Sequence, residues 1–93
     1  MHYTYLLLSK RDKRYYTGCA NNLRKRVLAH NAGRVRSTAA RASLELIYYE
    51  ACLHRDDALR RERFLKTGKG KRFLRNRLAA FPDGLSSNKL ERH

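Results

Sequence analysis

The sequence predicts a small α/β protein of the α+β kind: a three-stranded antiparallel sheet flanked by helices. Three observations predict it. Residues 3–9 and 14–19 are aromatic, leucine-rich or β-branched runs separated by the charged turn Lys10-Arg11-Asp12-Lys13, which is the pattern of a hairpin. A third run, 44–51, alternates and carries Ile47, Tyr48 and Tyr49. Apolar residues at helical spacing follow the second and third runs. Ninety-three residues suffice for one domain with one modest core, expected over 1–80, with 81–93 as a flexible polar tail.

Along the first strand, Tyr3, Tyr5 and Leu7 share one face and Thr4, Leu6 and Leu8 the other. Both faces can be buried, so this strand belongs at the centre of the sheet with helices on both sides. Gly18, near the end of the second strand, marks a place where a backbone or ligand approaches closely. Asn21 or Asn22 caps the next helix, 21–31, and Gly33 ends it. With Leu23 at zero, Val27 falls near about 40°, His30 near about 340° and Arg26 near about 300°, so Arg26 and His30 border the sheet-facing stripe. Residues 34–43 form a loop whose Arg34, Arg36, Ser37, Thr38 and Arg41 are donors suited to a phosphate backbone, or simply a solvated loop.

Asp56 and Asp57 suit the positive start of the following helix. On it Glu62 falls near about 300°, within the arc shared by Leu59, Ala58 and Leu65. A carboxylate facing the core needs a cationic partner. An arginine would make it a structural ion pair, and a metal or substrate site would make it functional. Thr67-Gly68-Lys69-Gly70 then breaks the chain, and a last helix, 71–80, presents Phe73, Leu74 and Leu78 before Pro82 stops it.

The net charge of +14 is self-repelling and calls for a polyanionic partner, of which nucleic acid is the commonest. Ten of the 22 basic residues lie in 10–41 and ten in 55–77, so both halves feed one cationic surface, to which Lys25, Lys66, Lys69 and Lys71 contribute. No run is apolar enough to cross a bilayer and the start lacks a signal-peptide core, so a cytoplasmic protein without membrane attachment is expected. Cys19 and Cys52 form no metal-binding spacing and read as reduced, partly buried thiols.

These residues resemble a known family. Tyr3-Thr4-Tyr5 and Tyr16-Thr17-Gly18 are similar to the two signatures of the GIY-YIG nuclease superfamily, with Tyr3 in place of a glycine and Thr17 in place of an isoleucine. The helix containing Arg26 and His30 and the segment 58–70 around Glu62 resemble the remaining motifs. The resemblance covers about residues 3–76 and points to the small stand-alone members, which look like the N-terminal nuclease domain of the bacterial nucleotide-excision-repair enzyme excinuclease ABC. It implies a metal-dependent endonuclease cutting phosphodiester bonds in DNA, in repair or processing. Tyr5, Tyr16, Arg26, His30 and Glu62 would be catalytic, and Glu62 would also anchor one Mg2+ or Mn2+ ion. Asn76 is the candidate for an asparagine that many relatives carry. Each residue alone has a plain alternative: strand tyrosines, a satisfied helix histidine, an Arg26–Glu62 ion pair.

The competing expectation is a non-catalytic nucleic-acid-binding module on the same fold, which would need neither Glu62 nor a metal. A ribosomal-type scaffold would tolerate loss of these residues. The sequence does not separate DNA from RNA, and a homodimer or partner protein would be one source of selectivity.

Overall fold

The structure, a computed structural model, describes residues 1–39 and 43–81. Its elements are β1 (His2–Ser9), β2 (Tyr15–Ala20), α1 (Leu23–Asn31), a short 3-10 turn (Arg36–Thr38), β3 (Leu44–Cys52), α2 (Arg55–Leu65) and α3 (Gly68–Arg77). The sheet order is β2-β1-β3, and both pairings are antiparallel. The expected three-stranded sheet with a central first strand is therefore the fold. No helix among the described residues is long and apolar enough to cross a membrane.

The alternation along β1 builds a core on each face. On one side Leu6 and Leu8 join Tyr15, Leu65 and Leu74, with Phe64, Phe73 and Leu78 packed around them. This is the side of α2 and α3. On the other, Tyr5, Leu7 and Leu44 gather Tyr16, Leu23, Val27 and Leu46 under α1. Consecutive tyrosines 15 and 16 thus serve opposite faces, as the two-residue strand period requires.

Local chemistry fixes the helices against this sheet. The Asn22 side chain accepts from the Lys25 amide at 3.1 Å and caps α1. Gly33 takes φ +74°, the left-handed value expected after a helix end. Asn31 clamps the end of α1 to the start of β3: its Nδ2 donates to the Leu44 carbonyl at 2.9 Å, and its Oδ1 accepts from the Leu44 amide at 2.7 Å. Thr4 Oγ1 donates to the Ala58 carbonyl at 2.9 Å, joining β1 to α2.

Helix α3 starts three residues earlier than the sequence suggests. Thr67 caps it by accepting from the Gly70 amide at 3.1 Å, so the two glycines lie inside its first turn. Gly70 is required there because a Cβ would overlap the Phe64 carbonyl and Leu65 Cα at the end of α2. Phe81, assigned to the tail from sequence, is half-buried and packs on the α2–α3 core. Residues 82–93 lie outside the described residues.

A core-facing carboxylate paired with arginine does exist, but it is Glu50. Arg61 grips it with Nε at 2.7 Å and a terminal nitrogen at 3.0 Å, and the Tyr48 hydroxyl donates to it at 2.7 Å. Burial works to raise the Glu50 carboxyl, yet these two partners outweigh it and hold it below the usual range. The same guanidinium lies 4.5 Å from the Phe73 ring centre and 4.9 Å from that of Phe64. Ion pair and cation–π contacts together tie β3, α2 and α3 into one unit.

Candidate active site

Tyr5 stands in the middle of β1, opposite Gly18 on β2 and Tyr49 on β3. Its ring leans over Gly18, where a Cβ would overlap the hydroxyl and Cζ. The close approach expected at Gly18 is therefore made by the protein's own tyrosine. With no side chain beneath it, the ring lies low enough for its hydroxyl to meet α1. There it lies 2.8 Å from His30 Nε2. The other ring nitrogen, Nδ1, lies 2.6 Å from Thr38 Oγ1. Tyr5, His30 and Thr38 are all 0% exposed, so these contacts form a closed chain of polar groups inside the α1-face core.

Tyr16 and Arg26 complete the cluster on its open side. The Tyr16 ring is 5.1 Å from His30 and 6.5 Å from Tyr5, centre to centre, and is half-buried. The Arg26 guanidinium sits beside the Tyr5 hydroxyl, and that contact raises the arginine's own pKa. Burial pushes the Tyr5 phenol above its ordinary value, and Arg26, which works in the other direction, does not overcome it. The sequence-based expectation that Arg26 would help lower a tyrosine pKa is corrected in sign for Tyr5.

His30 is pushed down to about 4, first by burial and then by the charge of Arg26. It is neutral at pH 7, with one ring nitrogen donating and the other accepting. Because its ordinary value is 6.5, the unfolded chain takes up a proton that the folded chain refuses between pH 6.5 and about 4. Stability contributed by neutral His30 is present above pH 6.5 and falls as the pH drops through that window, by about 3 kcal/mol in all. Urea midpoints measured from pH 7.5 to 4.5 should decline in the wild type and decline less in His30→Gln. Parallel curves would remove His30 as the source.

Glu62 comes from α2, with its side chain 19% exposed. Its charge reaches both the Tyr5 hydroxyl and the Cys19 thiol, raising each. Its ion-pair partner is not Arg26 but Lys66, one turn on, with Nζ 3.1 Å from Oε2. A cleft of about 440 Å³ opens beside Arg26, lined by Cys19, Ala20, Asn21, Asn22, Lys25, Arg26 and Ala29. Cys19 and Cys52 are free thiols.

The structure thus brings Tyr5, Tyr16, Arg26 and His30 together, with Glu62 in electrostatic reach. Of the expected nucleic-acid contacts, Lys25 lines the cleft, while Arg34, Arg36, Ser37, Lys66, Lys69 and Asn76 are exposed and Lys71 is half-buried. Arg41 lies outside the described residues. Thr38 is a correction. It was expected to face a phosphate backbone, but the 3-10 turn rotates it inward, and its hydroxyl is spent on His30. No periodicity marks an inward threonine in a loop. Only its position eight residues after His30 could have hinted at the contact.

Comparison with known proteins agrees with this geometry. Residues 1–76 match the model of the GIY-YIG catalytic domain. A UPF0213 protein of Clostridium perfringens is 40% identical over 67 residues, covering 71% of each chain. A UPF0213 protein of Staphylococcus haemolyticus is 37% identical over 67 residues, covering 71% of this chain and 80% of its own. The solution NMR structure of a UPF0213 protein from Bacillus halodurans superposes with a TM-score of 0.52 at 27% identity, covering 94% of both chains. By domain match, relatives and fold, the chain belongs to the GIY-YIG family, among its UPF0213 members.

Proposed function

We propose that the chain is a metal-dependent endonuclease hydrolysing phosphodiester bonds in DNA, in repair or processing. One observation carries this reading: two tyrosines, a neutral histidine and an arginine converge beside a cleft on a chain of net charge +14, with a half-buried carboxylate in electrostatic reach. A purely structural cluster would have no need for a desolvated imidazole and an exposed guanidinium sharing one phenol.

The donor chemistry fits a hard divalent ion. Mg2+ commonly takes one or two carboxylates and completes its shell with water and substrate phosphate. Glu62 is an oxygen ligand of that kind, and its Oε1 has no hydrogen-bond partner among the described residues. A bound ion would supply Lewis-acid stabilisation of the phosphate and the leaving oxygen.

The chain's own groups would do the rest. Arg26 offers paired donors to phosphate oxygens as negative charge builds on them. Drawn to the phosphate, its guanidinium uncovers the Tyr5 hydroxyl. Thr38 Oγ1 lies 3.5 Å from the Val35 carbonyl, an outlet for its own hydrogen. With that hydrogen so placed, His30 Nδ1–H donates to Thr38, and Nε2 accepts from Tyr5. The attacking water then gives its proton to the Tyr5 oxygen while Tyr5 passes its own to Nε2, so the phenol need never ionise. A histidine titrating near 4 is a weak base, so the transfer must accompany attack rather than precede it. Tyr16, at the rim, orients the water.

The Lys66–Glu62 ion pair favours the second reading, a binding module without catalysis, because it already neutralises the carboxylate. A labelled panel of duplex, single-stranded, flap and four-way-junction DNA, incubated with Mg2+ or with EDTA, separates the two. Cutting that requires the metal supports the nuclease. Binding with no cutting in Mg2+ or Mn2+ would replace it with the binding module.

A further inference from the structure

The largest groove on the molecule is not the cleft beside Arg26. It lies on the opposite flank of α1, holds about 590 Å³, and is lined chiefly by Tyr3, Leu23, Val27, Leu28, Leu46 and Tyr49. On the helical wheel Arg24 and Leu28 face this flank, whereas Lys25, Arg26 and Ala29 face the other. Leu28 is 63% exposed and Tyr49 54%, so the protein leaves a large aromatic and a large aliphatic side chain in water side by side. Tyr3 packs edge-on to Tyr49, with ring centres 6.0 Å apart and planes at 62°, which holds the exposed ring in place. An apolar patch of this kind marks a binding surface.

The groove and the cleft meet. Asn21 and Asn22 line both, so a continuous path runs from Arg26 around the first turn of α1 to Tyr49. That turn contains no acidic residue, and Arg24, Lys25 and Arg26 follow one another along it. A polyanionic chain following this path keeps its phosphates on cations and helix amides at the turn. Beyond the turn it meets an aromatic floor with an arginine at the rim. The ligand that is anionic along its backbone and flat and aromatic beside it is a nucleic-acid strand with an unpaired base. A paired base is closed off by its partner and by stacking and cannot enter.

We propose that the groove between α1 and β3 receives an unpaired nucleobase of the strand whose phosphate lies at Arg26, stacked on Tyr49 and flanked by Leu28 and Tyr3. The proposal rests on the nucleic-acid reading above and adds the substrate class: strands single-stranded, or locally unpaired, a short distance from the scissile phosphate. Stacking needs only a π-face, so the site discriminates unpaired from paired nucleotides far better than one base from another.

The test uses binding by full-length Glu62→Ala protein, so that cleavage does not intrude. Fluorescence anisotropy compares a labelled 12-mer of thymidine, a 12-mer of abasic residues with the same charge, and a 12-base-pair duplex. The thymidine strand should bind about tenfold more tightly than the abasic strand. Adding Tyr49→Ala should bring the two together while leaving the abasic affinity unchanged, and Tyr49→Phe should restore the difference. Leu28→Ala, at a second exposed position, should shrink it independently. Equal affinity for thymidine and abasic strands, or an equal loss on both in Tyr49→Ala, overturns the base site. Self-association that Tyr49→Ala abolishes, with no dependence on bases, assigns the groove to a second copy of the chain and also overturns it. Failure to bind even the abasic strand at low salt would instead sink the nucleic-acid reading itself.

Discussion

Glu62→Ala should abolish metal-dependent cleavage while leaving DNA affinity nearly unchanged. A carboxylate that anchors a Lewis acid supplies several kcal/mol to the transition state, so the expected loss is at least about a hundredfold. Affinity comes from phosphate neutralisation across the cationic surface, and losing one carboxylate from a chain of net charge +14 hardly alters that. The ion pair with Lys66 is partly exposed and adds little to stability, so the variant should fold. Single-turnover cleavage and anisotropy on the same preparations check both halves. Loss of binding together with cleavage would count against Glu62 as a metal ligand.

Gly18→Ala should damage the site almost as severely by a different route. The added methyl would occupy the space of the Tyr5 hydroxyl and Cζ, and Gly18 is not at a flexible margin but in register opposite Tyr5. The ring must lift, which parts it from His30 Nε2 and opens the α1-face core. Overpacking of this kind costs about 1–3 kcal/mol in stability. A displacement near 1 Å in a reacting group costs on the order of a hundredfold in rate. Urea denaturation and cleavage rates measure the two effects. His30 ring signals in NMR give a third readout, because parting from Tyr5 changes the environment of Nε2. A variant with wild-type cleavage and an unmoved His30 would show that the ring finds another path.

The parts of this site that sequence reveals are those governed by short periods. Alternation along residues 3–8 placed Tyr5 and Leu6 on opposite faces, and the four-residue spacing of Arg26 and His30 put both beside the sheet. The arc holding Glu62 was legible for the same reason, and Ala58 and Leu65 flanking it are buried. What failed depends on contacts between distant segments. Thr38 turns inward because of a 3-10 turn that no pattern announces. The start of α3 is set by packing at Gly70, not by glycine's low propensity. The direction of the Tyr5 shift is a contest between burial and one guanidinium, and only the folded surroundings decide it.

Tyr5 is both the hydroxyl at the heart of the proposed chemistry and the largest side chain enclosed in the α1-face core. These two demands would part company in a descendant that lost catalysis. Such a lineage would keep the tyrosine, since removing it hollows out the protein, and would be free to drift at Glu62, which borders solvent. Retention of the signature tyrosine is therefore a poor census of active enzymes among small relatives, and the carboxylate on α2 is the better marker.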